Sequence, residues 1–73
     1  MQNHLESLRK EKKLSQEQVG RALGVSRQTV ISLEKGKYNP SLELAFKISR
    51  FFGRAIEEIF CYEESMEVQD EKS

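Results

Sequence analysis

Apolar residues recur along most of this chain at helical rather than alternating spacing, and the repeats are opened by serines and closed by glycines. Leu5 and Leu8 mark a first helix from about Asn3 to Lys12, with Arg9, Lys10, Lys12 and Lys13 turned largely outward and Leu14 stapling the turn that follows. Ser15 is placed to cap a second helix, and Ser15-Gln16-Glu17-Gln18 has the form of a capping box in which Gln18 reaches back to the amide of the cap. This helix is expected to bury Val19, Ala22 and Leu23 and to stop at Gly24. The third runs from Ser26, its cap, to Lys35, with Val30 and Leu33 inward and Gly36 at its end. After the loop Lys37-Tyr38-Asn39-Pro40, Ser41 caps a fourth helix whose inner stripe reads Leu42, Ala45, Ile48 and Phe52 and whose end is Gly53. A short fifth helix from about Ala55 to Ile59 adds Ile56 and Ile59 to the core, and Phe60-Cys61-Tyr62 can extend as a short strand. The predicted fold class is therefore all-α, a compact five-helix domain over residues 1–62 with a central helix-turn-helix. Residues 63–73 are acidic and poor in apolar side chains, which predicts a mobile tail.

Composition narrows what such a domain does. With 73 residues and one cysteine, Cys61, no internal disulfide forms and no Cys/His cluster has zinc-ligand spacing, so helix packing must supply the stability. That usage suits a reducing cytoplasm. No apolar run approaches the roughly 18 residues that span a bilayer, and the first ten residues lack the apolar centre of a signal peptide, so no membrane partner is expected. The zero net charge conceals an asymmetry: residues 1–56 hold 11 Lys/Arg and 5 Asp/Glu, whereas residues 57–73 hold 1 Lys and 7 Asp/Glu. A basic body attracts phosphate even when a remote acidic segment balances it. Catalysis is disfavoured, because His4 and Cys61 are far apart in sequence and neither stands beside a recognisable acid, base or phosphate-binding loop. No catalytic residue, cofactor or metal is assigned, and Cys61 reads as a small buried hydrophobe.

The segment Gln16 to Leu33, QEQVGRALGVSRQTVISL, meets the geometric demands of two helices joined by a tight turn. A small residue stands where the helices cross (Gly20), a glycine where the chain turns (Gly24), an apolar residue follows (Val25), and the second helix carries paired apolar anchors (Val30, Leu33). From Leu5 through LSQEQVGRALGVSRQTVISLEKGKYNPSLELAFKISRFFG to Ile59, the sequence resembles the Xre family of helix-turn-helix regulators, which includes the phage Cro and cI repressors. The stretches SRQTV, LEKGKYNPSLELA and IEEIF resemble compact bacterial members most closely. The resemblance implies a five-helix DNA-binding domain. Two residues depart from the pattern: Gly20 stands where the family usually has Ala, at about 1 kcal/mol of helix propensity, and Ala55 replaces a capping Ser or Thr.

The polar face of the third helix agrees with that implication. Arg27 and Gln28 open it, and Arg pairs with guanine O6 and N7 as Gln pairs with adenine N6 and N7. Ser32 lies one turn beyond Gln28, at a position family members use for base contacts, and Thr29 either offers its methyl to thymine or packs at the helix start. Ile31 is either a sugar or methyl contact or a solitary exposed hydrophobe. Gln16, at the start of the second helix, and Ser26 are placed to receive phosphates, Ser26 as well as or instead of capping. Lys35, Lys37, Tyr38 and Asn39 occupy a loop that family members lay along the DNA backbone. Arg9 and Glu34 match positions that form an internal salt bridge in related repressors.

A monomer discriminates only a few base pairs at about 1–3 kcal/mol each, so a homodimer on a double-stranded DNA operator is expected. Leu44 and Phe51, joined by Phe60, Cys61 and Tyr62, are the expected interface, unless a small domain consumes them in its own core. The function read from the sequence is a cytoplasmic, sequence-specific transcriptional regulator, with repression the default sign. The alternative is an antitoxin-like module whose domain binds DNA while its acidic tail binds a protein partner.

Overall fold

The computed structural model describes residues 2–61; Tyr62 and the segment 63–73, on which the tail was expected, lie outside them. The elements are β1 (Gln2–Asn3), α1 (Leu5–Glu11), α2 (Gln16–Leu23), α3 (Arg27–Glu34), α4 (Leu42–Phe52), α5 (Ile56–Ile59) and β2 (Phe60–Cys61). Three serines set helix starts as their positions predict. The hydroxyls of Ser15, Ser26 and Ser41 accept the amides of Gln18, Thr29 and Leu44 at 3.0 to 3.1 Å, satisfying donors that a helix start leaves unpaired. At Ser15 the box closes, because Gln18 Oε1 accepts the Ser15 amide at 2.8 Å. α5 keeps half of such a box: Ala55 has no hydroxyl, but Glu58 Oε1 accepts the Ala55 amide at 3.0 Å.

The helices enclose one core. Leu33 of α3, Ile48 of α4 and Ile59 of α5 are its most buried large side chains, at 1%, 0% and 0% exposure. Burying a side chain of this size contributes about 1.5 to 3 kcal/mol. α2 and α3 share the most extensive packing, and α4 closes against α2 on one side and α5 on the other.

Several expectations are corrected. The N-terminus does not enter a helix at Asn3. Gln2 and Asn3 pair antiparallel with Cys61 and Phe60, and the His4 amide bonds to the Ile59 carbonyl at 2.8 Å. Asn3 then starts α1 from outside, its Oδ1 accepting the Leu5 amide at 3.1 Å. Ala22, expected inside, is exposed, while Gly20 is buried at the crossing of α2 and α3, where the sequence places it. On α4 the stripe is rotated: Leu44, Ala45, Ile48 and Phe52 are buried, while Leu42 stands 71% exposed and Phe46 54%. Leu44 and Phe60, expected at a subunit interface, belong to the core, Phe51 and Cys61 are half-buried, and Tyr62 lies outside the described residues.

Candidate nucleic-acid interface

The helix-turn-helix is assembled by a close backbone approach. Gly24 takes φ +77°, a left-handed conformation that glycine adopts without a side-chain clash. The Val25 amide folds back to the Gly20 carbonyl at 2.9 Å. A Cβ at Gly20 would stand 2.8 Å from the Val25 carbonyl oxygen and 3.3 Å from the Ser26 backbone, so even alanine would force the turn apart. The glycine that departs from the family pattern is thus the residue that lets α3 sit this tightly on α2.

α3 is held at both ends. At the start, Ser26 Oγ caps the Thr29 amide and lies 3.0 Å from Thr29 Oγ1, so the two hydroxyls satisfy one another. At the far end, Arg9 grips Glu34 through two hydrogen bonds, Nε to Oε2 at 2.6 Å and Nη2 to Oε1 at 3.2 Å, while its Nη1 donates to the Leu14 carbonyl at 3.0 Å. The side chains of this pair are only 12% and 7% exposed, so Arg9 is not turned outward as its place on α1 suggests. Donating to the Glu34 carboxylate raises the Arg9 guanidinium pKa above its ordinary value, against a smaller opposing effect of burial. Gln16 Nε2 also donates to Glu34 Oε1 at 3.2 Å, and Asn3 Nδ2 donates to the Leu33 carbonyl at 2.8 Å. One carboxylate and one helix-end carbonyl therefore tie α1, α2 and the N-terminal strand to the end of α3.

With Val30 and Leu33 inward at 3% and 1% exposure, the opposite side of α3 faces solvent. Gln28, Ser32 and Lys35 follow one another at i, i+4 and i+7 on that side, Arg27 stands at its leading edge, and Ile31 lies half-buried among them. Arg27 and Gln28 are exposed and have no hydrogen-bond or ion-pair partner among the described residues. Beyond the helix the Gly36 and Lys37 amides return to the Leu33 and Ser32 carbonyls, both at 3.0 Å, which folds the loop back beside α3. Lys35, Lys37, Tyr38 and Asn39 are all exposed there.

Of the expected site residues, Ser26, Arg27, Gln28, Lys35, Lys37, Tyr38 and Asn39 are exposed, whereas Gln16, Thr29 and Ser32 are half-buried. Thr29 is half-buried with its hydroxyl engaged, and the Gln16 side chain is tethered to Glu34. Sequence reading missed Asn3, whose role depends on a carbonyl 30 residues away. It also missed Leu42 and Phe46, whose i, i+4 spacing was the available signal for a second apolar stripe on α4. No helix among the described residues is long and apolar enough to cross a membrane.

Comparison with known proteins gives consistent matches. A helix-turn-helix family model matches residues 5–59. An uncharacterized HTH-type transcriptional regulator of Methanocaldococcus jannaschii is 58% identical over 64 residues, which are 88% of this chain and 97% of that protein. The cryptic phage CTXphi transcriptional repressor RstR of Vibrio cholerae is 38% identical over 55 residues, 75% of this chain but 50% of the repressor. The crystal structure of the restriction-modification controller protein C.AhdI from Aeromonas hydrophila aligns with a TM-score of 0.69 at 33% identity, covering 78% of this chain and 83% of that one.

Proposed function

This chain belongs to the Xre, Cro/cI-like type of the helix-turn-helix family and is a transcriptional regulator rather than an enzyme, and we propose that it is a cytoplasmic repressor whose homodimer reads an inverted-repeat operator with one α3 in each major groove. The observation that carries this reading is the contrast across α3. Its inner side and both ends are fixed by the contacts of Leu33, Glu34 and Ser26, while Arg27 and Gln28 have no side-chain partner among the described residues and stand on an exposed leading edge. A recognition surface needs both properties, since donors that are already paired have nothing to exchange with a base and a loosely held helix pays ordering entropy on binding.

In this reading Arg27 and Gln28 contact base edges, Ser32 reaches the next base along the groove, and Thr29 has only its methyl left to meet a thymine. Ser26, Lys35, Lys37, Tyr38 and Asn39 contact the phosphodiester backbone. Gln16 contributes from the N-terminus of α2, whose free amides and positive dipole end favour a phosphate. The second copy packs on the α4 face that carries Leu42 and Phe46. Beside Leu42 a mostly apolar cleft of about 280 Å³ is lined by Pro40, Ala45, Ile56 and Phe60, with Asn39 at its polar edge, and gives a partner side chain somewhere to enter. The repressive sign follows the phage repressor among the relatives; an HTH-type transcriptional activator of Enterococcus faecalis is the relative that points the other way.

Binding titrations against a panel of single-base operator variants test the assignment. Arg27→Ala or Gln28→Ala is expected to lose about 1–3 kcal/mol on the preferred site and to flatten preference at particular base pairs. Lys37→Ala is expected to weaken all sequences alike and to reduce the salt slope by about 1. An Arg27→Ala protein with an unchanged preference profile would place the recognition face elsewhere.

A further inference from the structure

The terminal sheet stands outside the recognition surface, yet one of its residues reaches the far end of α3. Asn3 is half-buried and engages both ends of its side-chain amide: Oδ1 accepts the Leu5 amide at 3.1 Å, and Nδ2 donates to the Leu33 carbonyl at 2.8 Å. Its backbone pairs with Phe60, and the amide of the next residue, His4, bonds to the Ile59 carbonyl at 2.8 Å. Ile59 is 0% exposed and Phe60 8%, so the sheet that holds Asn3 is anchored in the core. The carbonyl that Asn3 meets is a junction. It also accepts the Gly36 amide at 3.0 Å, while the Ser32 carbonyl accepts the Lys37 amide at 3.0 Å, the pair of bonds by which a left-handed glycine, here at φ +75°, closes a helix. A bond to the Leu33 carbonyl therefore holds the last turn of α3 and the start of the loop 36–39 at once. The far end of that loop returns to the same sheet, since Asn39 and Pro40 line one cleft with Phe60, the partner of Asn3.

We infer that Asn3 is a positioning residue for DNA recognition, setting Ser32, Lys35 and Lys37 against the core-anchored sheet through the Leu33 carbonyl. The inference rests on the DNA-binding reading of α3 and divides that surface between two anchors. Ser26 caps the start of the helix, beside Arg27 and Gln28; Asn3 holds its end, beside the loop. Without the Asn3 bond, the Leu33 carbonyl keeps the Gly36 amide and the helix still closes, but its end and the loop take several poses, and ordering them on DNA costs affinity. The loss falls on the contacts nearest Asn3. Contacts at the start of α3, held by Ser26, are spared.

Asn3→Asp separates the two bonds of the side chain. One carboxylate oxygen still accepts the Leu5 amide, while the other has no hydrogen to give and faces the Leu33 carbonyl as a second acceptor. Operator affinity is expected to fall roughly two- to tenfold, the net size of one hydrogen bond, under conditions where urea unfolding shows the protein folded. Double-mutant cycles carry the test. The loss is expected to shrink in a protein that already carries Ser32→Ala and Lys37→Ala, and to keep its full size beside Arg27→Ala. Amide spectra of the isotope-labelled full chain should show Gly36 and Lys37 displaced by Asn3→Asp, with Arg27 and Gln28 in place. Where Asn3→Asp does not fold, Asn3→Ala is measured against the same expectations. Equal losses in both backgrounds, unchanged affinity, or failure of both variants to fold would overturn the positioning role. Arg27→Ala alone separates this failure from that of the underlying reading: a weakened, less selective Arg27→Ala protein leaves DNA recognition by α3 standing when Asn3 fails, whereas an unaffected one removes both.

Discussion

Helices α3 and α4 start in the same way, at Ser26 and Ser41, and each buries a short apolar stripe in the common core, yet they turn surfaces of different kinds to solvent. α3 shows Arg27 and Gln28; α4 shows Leu42 and Phe46 beside the exposed Glu43, Lys47 and Arg50. Exposed charged and amide groups on a fixed helix lose little by waiting in water, and they exchange water for base edges when DNA arrives. Exposed leucine and phenylalanine gain by leaving water, at about 25 cal/mol per Å² of apolar surface. The two surfaces suit two kinds of partner, in the proposed reading nucleic acid for α3 and a second copy of the chain for α4. Burial decides what each helix contributes to folding, and the unburied side decides what it recognises.

The largest effect that would sharpen this contrast comes from the shared interior. Leu33→Ala, at a residue 1% exposed, is expected to lower stability by about 2–5 kcal/mol in urea unfolding. Arg27→Ala should stay within about 0.5 kcal/mol of wild type in the same assay. A Leu33→Ala protein as stable as wild type would mean that α3 is not anchored through its inner stripe. Next in size is the outer side of α4. Leu42→Glu and Phe46→Glu each place a charge where an apolar contact is proposed, and light scattering at micromolar concentration should show a shift toward monomer with the melting temperature of the monomer kept. Undiminished dimer in both variants would remove that face from the assembly. The smallest effect compares the two caps. Ser26→Ala and Ser41→Ala should each lower stability by about 0.5–2 kcal/mol, but only Ser26→Ala should also weaken operator binding beyond what unfolding explains.

What was legible in the sequence was local. Ser15, Ser26 and Ser41 declare helix starts because a capping hydroxyl needs only its own neighbours, and Gly24, Gly36 and Gly53 end helices at φ of +77°, +75° and +68° for an equally local reason. The turn between α2 and α3 was readable on the same grounds. The pairing of Gln2 and Asn3 with Cys61 and Phe60 was not, because strands of two residues carry no periodicity and their partner lies at the other end of the described chain. The rotation of α4 was hidden for another reason. Its first turns, Leu42 to Phe46, are apolar on nearly every side, so two stripes fit the spacing, and only the position of α2 and α5 selects Leu44 over Leu42. Ala22 was misplaced because it keeps the helical spacing of Val19 and Leu23, although Gly20, placed correctly, is the residue that backbone contact between α2 and the turn demands inside. For the site, residue types pointed to Arg27 and Gln28, but nothing local showed that Gln16 and Asn3 are drawn toward the end of α3.

In the proposed dimer, two copies of α3 are held at a fixed separation by the α4 face. A two-fold dimer that enters successive major grooves on one side of B-DNA needs its half-sites about 34 Å apart, or roughly 10 base pairs centre to centre. Affinity at physiological salt should therefore be measured for the native inverted repeat and for the same operator with about half a turn, roughly 5 base pairs, inserted between its halves. The expected result is a sharp loss on insertion, leaving weak binding that falls steeply with added salt because only phosphate attraction remains. Equal affinity for the two operators would contradict the rigid dimer and leave each copy of α3 to bind independently.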